Sequence, residues 1–127
     1  MRRYGLFGLV LGLFLTACAT ELPPVAVEQG VIFGSPSREQ VAQTMAQAAT
    51  RAKWQVRGRS ADALDIFFTH KGYVYAAKIS FTTQTYRIDF VSSEGSVHDA
   101  DEVIVYYNKQ VRRLNTYINR FLSKAFY

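Results

Sequence analysis

The sequence predicts an α+β domain with the element order β-α-β-β-β-β-α, in which an antiparallel meander sheet packs both helices on one face. Three observations support this fold class. Apolar and polar residues alternate with a period of two across residues 54–92. Apolar residues recur with helical spacing before this region, between about Ser37 and Lys53, and again after it, from about residue 99.

The first strand and the first helix are predicted from local signals. Residues 25–33 are rich in β-branched and aromatic residues, and the run ends at Gly34. Ser37 followed three residues later by Gln40 is the pattern of a capping box, which predicts that a helix begins there. The apolar face of this helix recurs at spacings of four, three and four residues, at Val41, Met45, Ala48 and Ala52.

The predicted turns fix how the strands of the meander pair. A Lys71–Gly72 turn and a Thr82–Thr85 loop connect three successive strands. A shift of one residue in either pairing would bury Asp65 or Lys78, so the register is strongly determined. It places one set of apolar side chains on a single face: Leu64, Ile66, Phe68, Tyr75, Ala77, Ile79, Phe81, Tyr86, Ile88 and Phe90.

The last helix is predicted to be amphipathic. Its apolar stripe is expected at Tyr107, Val111, Leu114, Ile118, Phe121 and Ala125. The opposite side carries Lys109, Arg113, Arg120 and Lys124. Two interpretations of this basic stripe stay open, an ordinary solvated helix face and a surface that contacts anionic lipid headgroups.

The N-terminal residues resemble a bacterial lipoprotein signal. Arg2 and Arg3 precede an apolar run from Leu6 to Leu15, which is about half of the ~20 residues needed to span a bilayer. The run ends in Leu15-Thr16-Ala17-Cys18, which resembles the lipobox recognised by lipoprotein signal peptidase. The resemblance implies cleavage before Cys18, a thioether-linked diacylglycerol on that cysteine, and an acylated new N-terminus.

This resemblance implies the organisation of the whole chain. We expect a signal peptide at residues 1–17, a lipidated N-terminus and short tether at 18–24, and a single small domain at 25–127. Ala19, not Asp, follows the cysteine, which by the sorting rule of enteric bacteria implies the inner leaflet of the outer membrane, facing the periplasm. The protein is therefore expected to be held on a membrane by lipid without spanning it.

A second resemblance involves the last helix, through Tyr107-Asn108, Val111, Leu114 and Ile118. Together with Ala77-x-Ile79-x-Phe81 and Tyr86-x-Ile88-x-Phe90, this pattern resembles a family of small uncharacterised bacterial envelope lipoproteins. In that family a Tyr-Asn-x-x-Val-x-x-Leu helix closes a small antiparallel sheet. The resemblance would cover about Val31 to Leu122, and it implies no activity.

Composition and charge exclude several classes of protein. Hydrophobic residues make up 49% of the 127 residues, which excludes a disordered chain. The net charge of +5 falls to +3 if Arg2 and Arg3 are removed with a signal peptide, too little for a nucleic-acid-binding protein. The single cysteine excludes an intrachain disulfide. No catalytic motif is found, and His70 and His98 have the positions of surface residues, so we expect no enzyme activity, metal or cofactor.

One surface is a candidate for binding a partner. The register that buries the core directs Phe67, Val74, Ala76 and Val91 toward the open face of the sheet. Either an envelope protein binds there, or the N-terminal segment covers the cluster, or the cluster is incidental. The expected function is a non-enzymatic binding or assembly accessory of the cell envelope. The alternative is a protein that binds a small ligand or an envelope polymer in a pocket between sheet and helices.

Overall fold

The structure is a computed structural model that describes residues 24–95 and 100–127. The expected signal peptide, the lipidation site at Cys18 and the tether up to residue 23 lie outside the described residues, as does His98.

The predicted fold class and element order are confirmed. Five antiparallel strands form one sheet, and two helices pack on it. In chain order the elements are β1 (Glu28–Val31), α1 (Arg38–Arg51), β2 (Gln55–Arg59), β3 (Ala63–His70), β4 (Tyr73–Phe81), β5 (Thr85–Glu94) and α2 (Ala100–Phe126). The sheet order is β1-β5-β4-β3-β2, so the meander is complete and β1 joins it beside its last strand.

The local signals for helix and turn act as predicted. Ser37 caps α1, and its side chain and that of Gln40 form the reciprocal hydrogen bonds of a capping box. Lys71 and Gly72 have φ values of 50° and 84°, the two positive values that a tight type I′ hairpin turn requires. The turn sets the predicted register, and Ile79 pairs with Leu64 on one side and with Ile88 on the other.

A β-bulge in β5 changes one predicted alignment. Ala77 pairs with Phe90 and Ala76 pairs with Ser92, so Val91 is the extra residue between them. The continuous register predicted from the Thr82–Thr85 loop, which would pair Ala76 with Val91, is therefore wrong at this position. The alternation ends there, because Phe90 and Val91 are consecutive apolar residues followed by two serines, and such a break does not by itself predict a bulge.

The core lies between the sheet and the helices. Eleven of its residues have no exposed surface: Val41, Met45, Ala48, Ala49, Leu64, Ile79, Ile88, Val111, Leu114, Ile118 and Leu122. On α2 the buried stripe continues from Ile118 to Leu122, whereas the predicted Phe121 is half-buried beside α1 and Ala125 is exposed. A stripe on a 3.6-residue helix can continue at either three or four residues, and packing on the sheet selects four here.

Candidate functional site

The helix α2 presents three distinct faces along its length. At 27 residues it is about 40 Å long, and its contacts run alongside the N-terminal segment from Pro24 to Val31. Its apolar face is buried in the core, a row of asparagines flanks that face next to β1, and basic residues occupy the solvent side. The last two faces carry the features relevant to function.

Asn108 fixes the start of the domain to α2. Its side chain is nearly buried, its Oδ1 accepts a hydrogen bond from the Ala26 N–H at 2.8 Å, and its Nδ2 donates to the Pro24 carbonyl at 2.9 Å. One amide side chain thus satisfies a backbone donor and a backbone acceptor of an extended segment. The chain therefore leaves the domain toward Cys18 from a defined point on α2.

Two further asparagines continue this face. Tyr86 donates its hydroxyl to Asn115 Oδ1 and also lies 3.2 Å from Asn119 Oδ1, while Asn115 Nδ2 donates to Glu28 Oε1 at 3.1 Å. Burial raises the pKa of Tyr86 to about 12, so the phenol stays protonated. A Cβ at Gly30 would lie 2.6 Å from the Tyr86 ring, so this network requires glycine there.

The C-terminal end of α2 completes the attachment of β1. The Tyr127 hydroxyl donates to the Val31 carbonyl at 3.1 Å, and its ring packs edge-on against Phe33 with centroids 5.2 Å apart. The N-terminal segment is therefore held at its beginning, middle and end by side chains on or directly after one helix.

The solvent face of the helical layer is basic. The predicted residues Lys109, Arg113, Arg120 and Lys124 are all exposed. Arg112 of α2 is exposed too, as are Arg51 at the end of α1 and Lys53 just after it. Residues 40–53 and 103–127 contain no Asp or Glu at all, whereas the rest of the chain after residue 17 has four more acidic than basic residues. The acidic residues of the helices, Glu39, Asp101 and Glu102, lie in their first turns, so the rest of the helical layer is basic although the net charge of the whole chain is modest.

A tyrosine lies among the arginines of this basic face. The Arg113 and Arg120 guanidinium carbons are 5.4 Å and 5.1 Å from the centroid of the Tyr117 ring. Arg113, placed to donate to the Tyr117 hydroxyl, lowers the pKa of that hydroxyl, and the positive charges of Arg51 and Arg120 lower it further. Arg113 and Arg120 therefore both lie against one tyrosine ring, and Arg51 lies close by on α1, beside Phe121.

The predicted interaction residues on the open face of the sheet differ in how much of each side chain is exposed. Val91 is 56% exposed, Phe67 and Val74 are half-buried, and Ala76 is 9% exposed although it does not belong to the core beneath the helices. The Arg57 guanidinium carbon lies 4.4 Å from the Phe67 ring centroid and covers part of that ring. The exposed apolar area is therefore smaller than predicted and centred on the bulge.

An aromatic groove lies between the β3–β4 turn and the start of α2. Its volume is about 540 Å³, and its lining includes His70, Tyr73, Tyr75 and Tyr106. The His70 ring stacks on Tyr106 with centroids 4.0 Å apart. Burial, followed by the nearby Tyr73 and Tyr106, raises the pKa of Tyr75. Sequence reasoning missed this groove because its residues come from distant segments with no shared motif.

Comparisons with known proteins assign no family: neither a protein-family model nor a curated protein matches this chain. Within residues 24–95 and 100–127, no helix is both long and apolar enough to cross a membrane. In the same ranges, no three His, Cys, Asp or Glu side chains are grouped so that they could hold a metal ion.

Two of the buried tyrosines, Tyr86 and Tyr107, differ in the hydrogen bonding of their hydroxyl groups. The Tyr86 hydroxyl is hydrogen-bonded to asparagine, whereas the Tyr107 hydroxyl is buried without a hydrogen-bond partner among the described residues. The ring of Tyr107 packs against Trp54 and Phe90. Burial of its hydroxyl therefore lowers the stability of the fold, because the loss of hydration is not offset by a hydrogen bond.

We therefore expect opposite results from two identical substitutions. Tyr86→Phe should lower the free energy of unfolding by about 1–2 kcal/mol, because it leaves Asn115 without its donor. Tyr107→Phe should leave it unchanged or raise it by about 1 kcal/mol, because it removes an unpaired buried group. Urea unfolding of both variants measures the difference, and an equal loss in both would contradict the assignment of these hydroxyls.

Proposed function

We propose that this chain is a lipid-anchored lipoprotein of the cell envelope that faces the periplasm and acts as a non-enzymatic binding or assembly accessory. The observation that carries the proposal is the contact of Asn108 with Pro24 and Ala26. It ties the end of the expected tether to the helix whose solvent face is basic. The lipid anchor would insert into a membrane, and the basic face would contact the surface of that same membrane.

The short tether limits how far the domain can be from its anchor. Pro24 follows Cys18 by six residues, which span at most about 20 Å when fully extended. Lys109 follows Asn108 directly and Arg112 lies one turn further along α2, so basic side chains flank the point where the tether leaves. Attraction to an anionic surface is worth about 1 kcal/mol per Lys or Arg. The lipid would hold the domain at the membrane, and the basic face would orient it.

This orientation leaves the open face of the sheet for a protein partner. The helices cover one face of the sheet, so a membrane against the helical layer lies on the side away from Val91 and Phe67. The apolar area around the bulge would then point into the periplasm. We propose this area as the contact site for an envelope protein.

The aromatic groove favours a second candidate function, binding of a small ligand or a segment of envelope polymer. Stacked rings at His70 and Tyr106 offer an apolar surface, and Asp101 and Glu102 line the same groove. Concave sites with a few polar groups are typical of ligand pockets. This groove lies at the end of the sheet, not within the core between sheet and helices.

The lipid anchor is tested by Cys18→Ala. Because Cys18 is the only cysteine, the variant should incorporate no clickable fatty acid and should accumulate as the unprocessed precursor. The matched control is Thr20→Ala, which lies outside the lipobox and should be labelled like the wild type. Equal labelling of Cys18→Ala and the wild type would end the lipoprotein proposal.

The partner surface is tested by placing a photo-crosslinking residue at position 91 of the lipidated protein in cells. A discrete protein adduct is expected, and Phe67→Glu should abolish it without changing the melting temperature. The control Lys78→Glu changes a charge on the same face but outside the apolar area, and should leave the adduct in place. An adduct that survives Phe67→Glu would show that this area is not the contact site.

A further inference from the structure

We propose that Arg51, Arg113 and Arg120 form a binding site for the phosphate group of an anionic lipid headgroup. The inference rests on the proposed function in one respect, that the helical layer faces a membrane. It goes further by assigning recognition to three residues around Tyr117, in place of a diffuse basic stripe.

Packing of the two helices places Arg51 beside Phe121, the residue that follows Arg120 on α2. Arg51 ends α1, whereas Arg113 and Arg120 lie two turns apart on α2 with Tyr117 between them. The ring of Tyr117 holds both α2 guanidinium groups within 5.4 Å of its centroid. Their positions are therefore partly fixed before any ligand binds, which lowers the entropic cost of binding an anion.

These arginines have no carboxylate partner in the part of the chain that the structure describes, in contrast to Arg59 and Arg87 on the sheet side. Arg59 pairs with Glu39 at 2.6 Å and Arg87 pairs with Asp89 at 2.8 Å. No such pair is formed within the described ranges by Arg51, Arg113 or Arg120. The acidic residues of the two helices lie only in their first turns, and none lies among residues 40–53 or 103–127. Positive charges held together without a counter-charge favour binding of an anion.

The chemistry and the location of the cluster favour a lipid phosphate. The planar guanidinium group donates two parallel hydrogen bonds to phosphate oxygens, so arginine suits this ligand better than lysine does. The cluster is exposed on the outer surface of the helical layer and not enclosed in a cavity. A phosphate presented on a flat surface, as in a bilayer, can reach all three arginines together.

The site is tested with the lipidated full-length protein reconstituted into vesicles. Thr116→Cys introduces a thiol between Arg113 and Arg120, and Cys18 is lipidated, so a fluorescent label attaches there alone. A quencher is placed on the headgroups of the vesicle lipids. We expect quenching in phosphatidylglycerol vesicles, little in phosphatidylcholine vesicles, and its loss at high salt. The same label at Thr69→Cys, on the sheet side, should stay unquenched.

Charge-matched variants separate the site from net charge. Arg51→Gln, Arg113→Gln and Arg120→Gln should each lower the ratio of docked to undocked protein about five-fold. Arg57→Gln removes the same charge from the sheet side and should leave the ratio unchanged. Equal effects of Arg57→Gln and Arg51→Gln, or equal quenching in both kinds of vesicle, would overturn the proposal.

Two further readouts distinguish the possible failures. If inorganic phosphate lowers quenching in phosphatidylglycerol vesicles more than chloride does at the same ionic strength, the arginines recognise phosphate as proposed, whereas equal effects of the two anions would show only screening of charge and overturn the site. The mass of the purified protein reports lipid on Cys18 independently of docking. Lipidated protein that does not dock contradicts only the arginine site, whereas protein without lipid contradicts the proposed function itself.

Discussion

Packing of α2 across the sheet is the constraint on which the other features depend. A five-stranded sheet with one apolar face needs a cover, and α2 supplies much of it through Tyr107, Val111, Leu114, Ile118 and Leu122. Once the apolar stripe packs on the sheet, the directions in which the other faces of the helix point are fixed. Its asparagines must lie beside β1 and its basic residues must face solvent, so core, tether attachment and surface charge follow from a single packing event.

Segregated charge connects this packing to function. The chain has a modest net charge, yet all its acidic residues lie outside residues 40–53 and 103–127. A protein with one basic side has a preferred orientation at an anionic surface, and a short tether makes that orientation effective by keeping the domain close. The proposed roles of lipid, basic face and open sheet face are thus consequences of one arrangement, in which the membrane and a protein partner contact opposite sides.

Most of the fold could be predicted because its signals are local. The Lys71–Gly72 turn and the capping box at Ser37 act through neighbouring residues, and alternation then determines the register. The structure differs from the prediction where local signals are ambiguous: two consecutive apolar residues at Phe90 and Val91 fit either a bulge or the end of the alternation, and the α2 stripe could continue to Phe121 or Leu122.

The site was less predictable, for a related physical reason. The basic residues of α2 were identified because they share one helix face. The role of Asn108 was not, since an asparagine gives no sequence signal for the backbone groups it binds 82 and 84 positions away. Arg51 joins the arginine cluster, and Tyr106 joins His70, only through tertiary packing.

Hydrogen exchange at the Ala26 amide tests most directly whether α2 fixes the end of the tether. In the wild type this N–H donates to Asn108 Oδ1 and should be protected. Asn108→Ala removes the acceptor, so protection at Ala26 should fall about ten-fold or more while protection within β3 and β4 is retained. Thr116→Ala, which alters only a hydroxyl bonded within its own helix, should leave Ala26 protected. Equal protection of Ala26 in wild type and Asn108→Ala would show that the helix does not hold the tether.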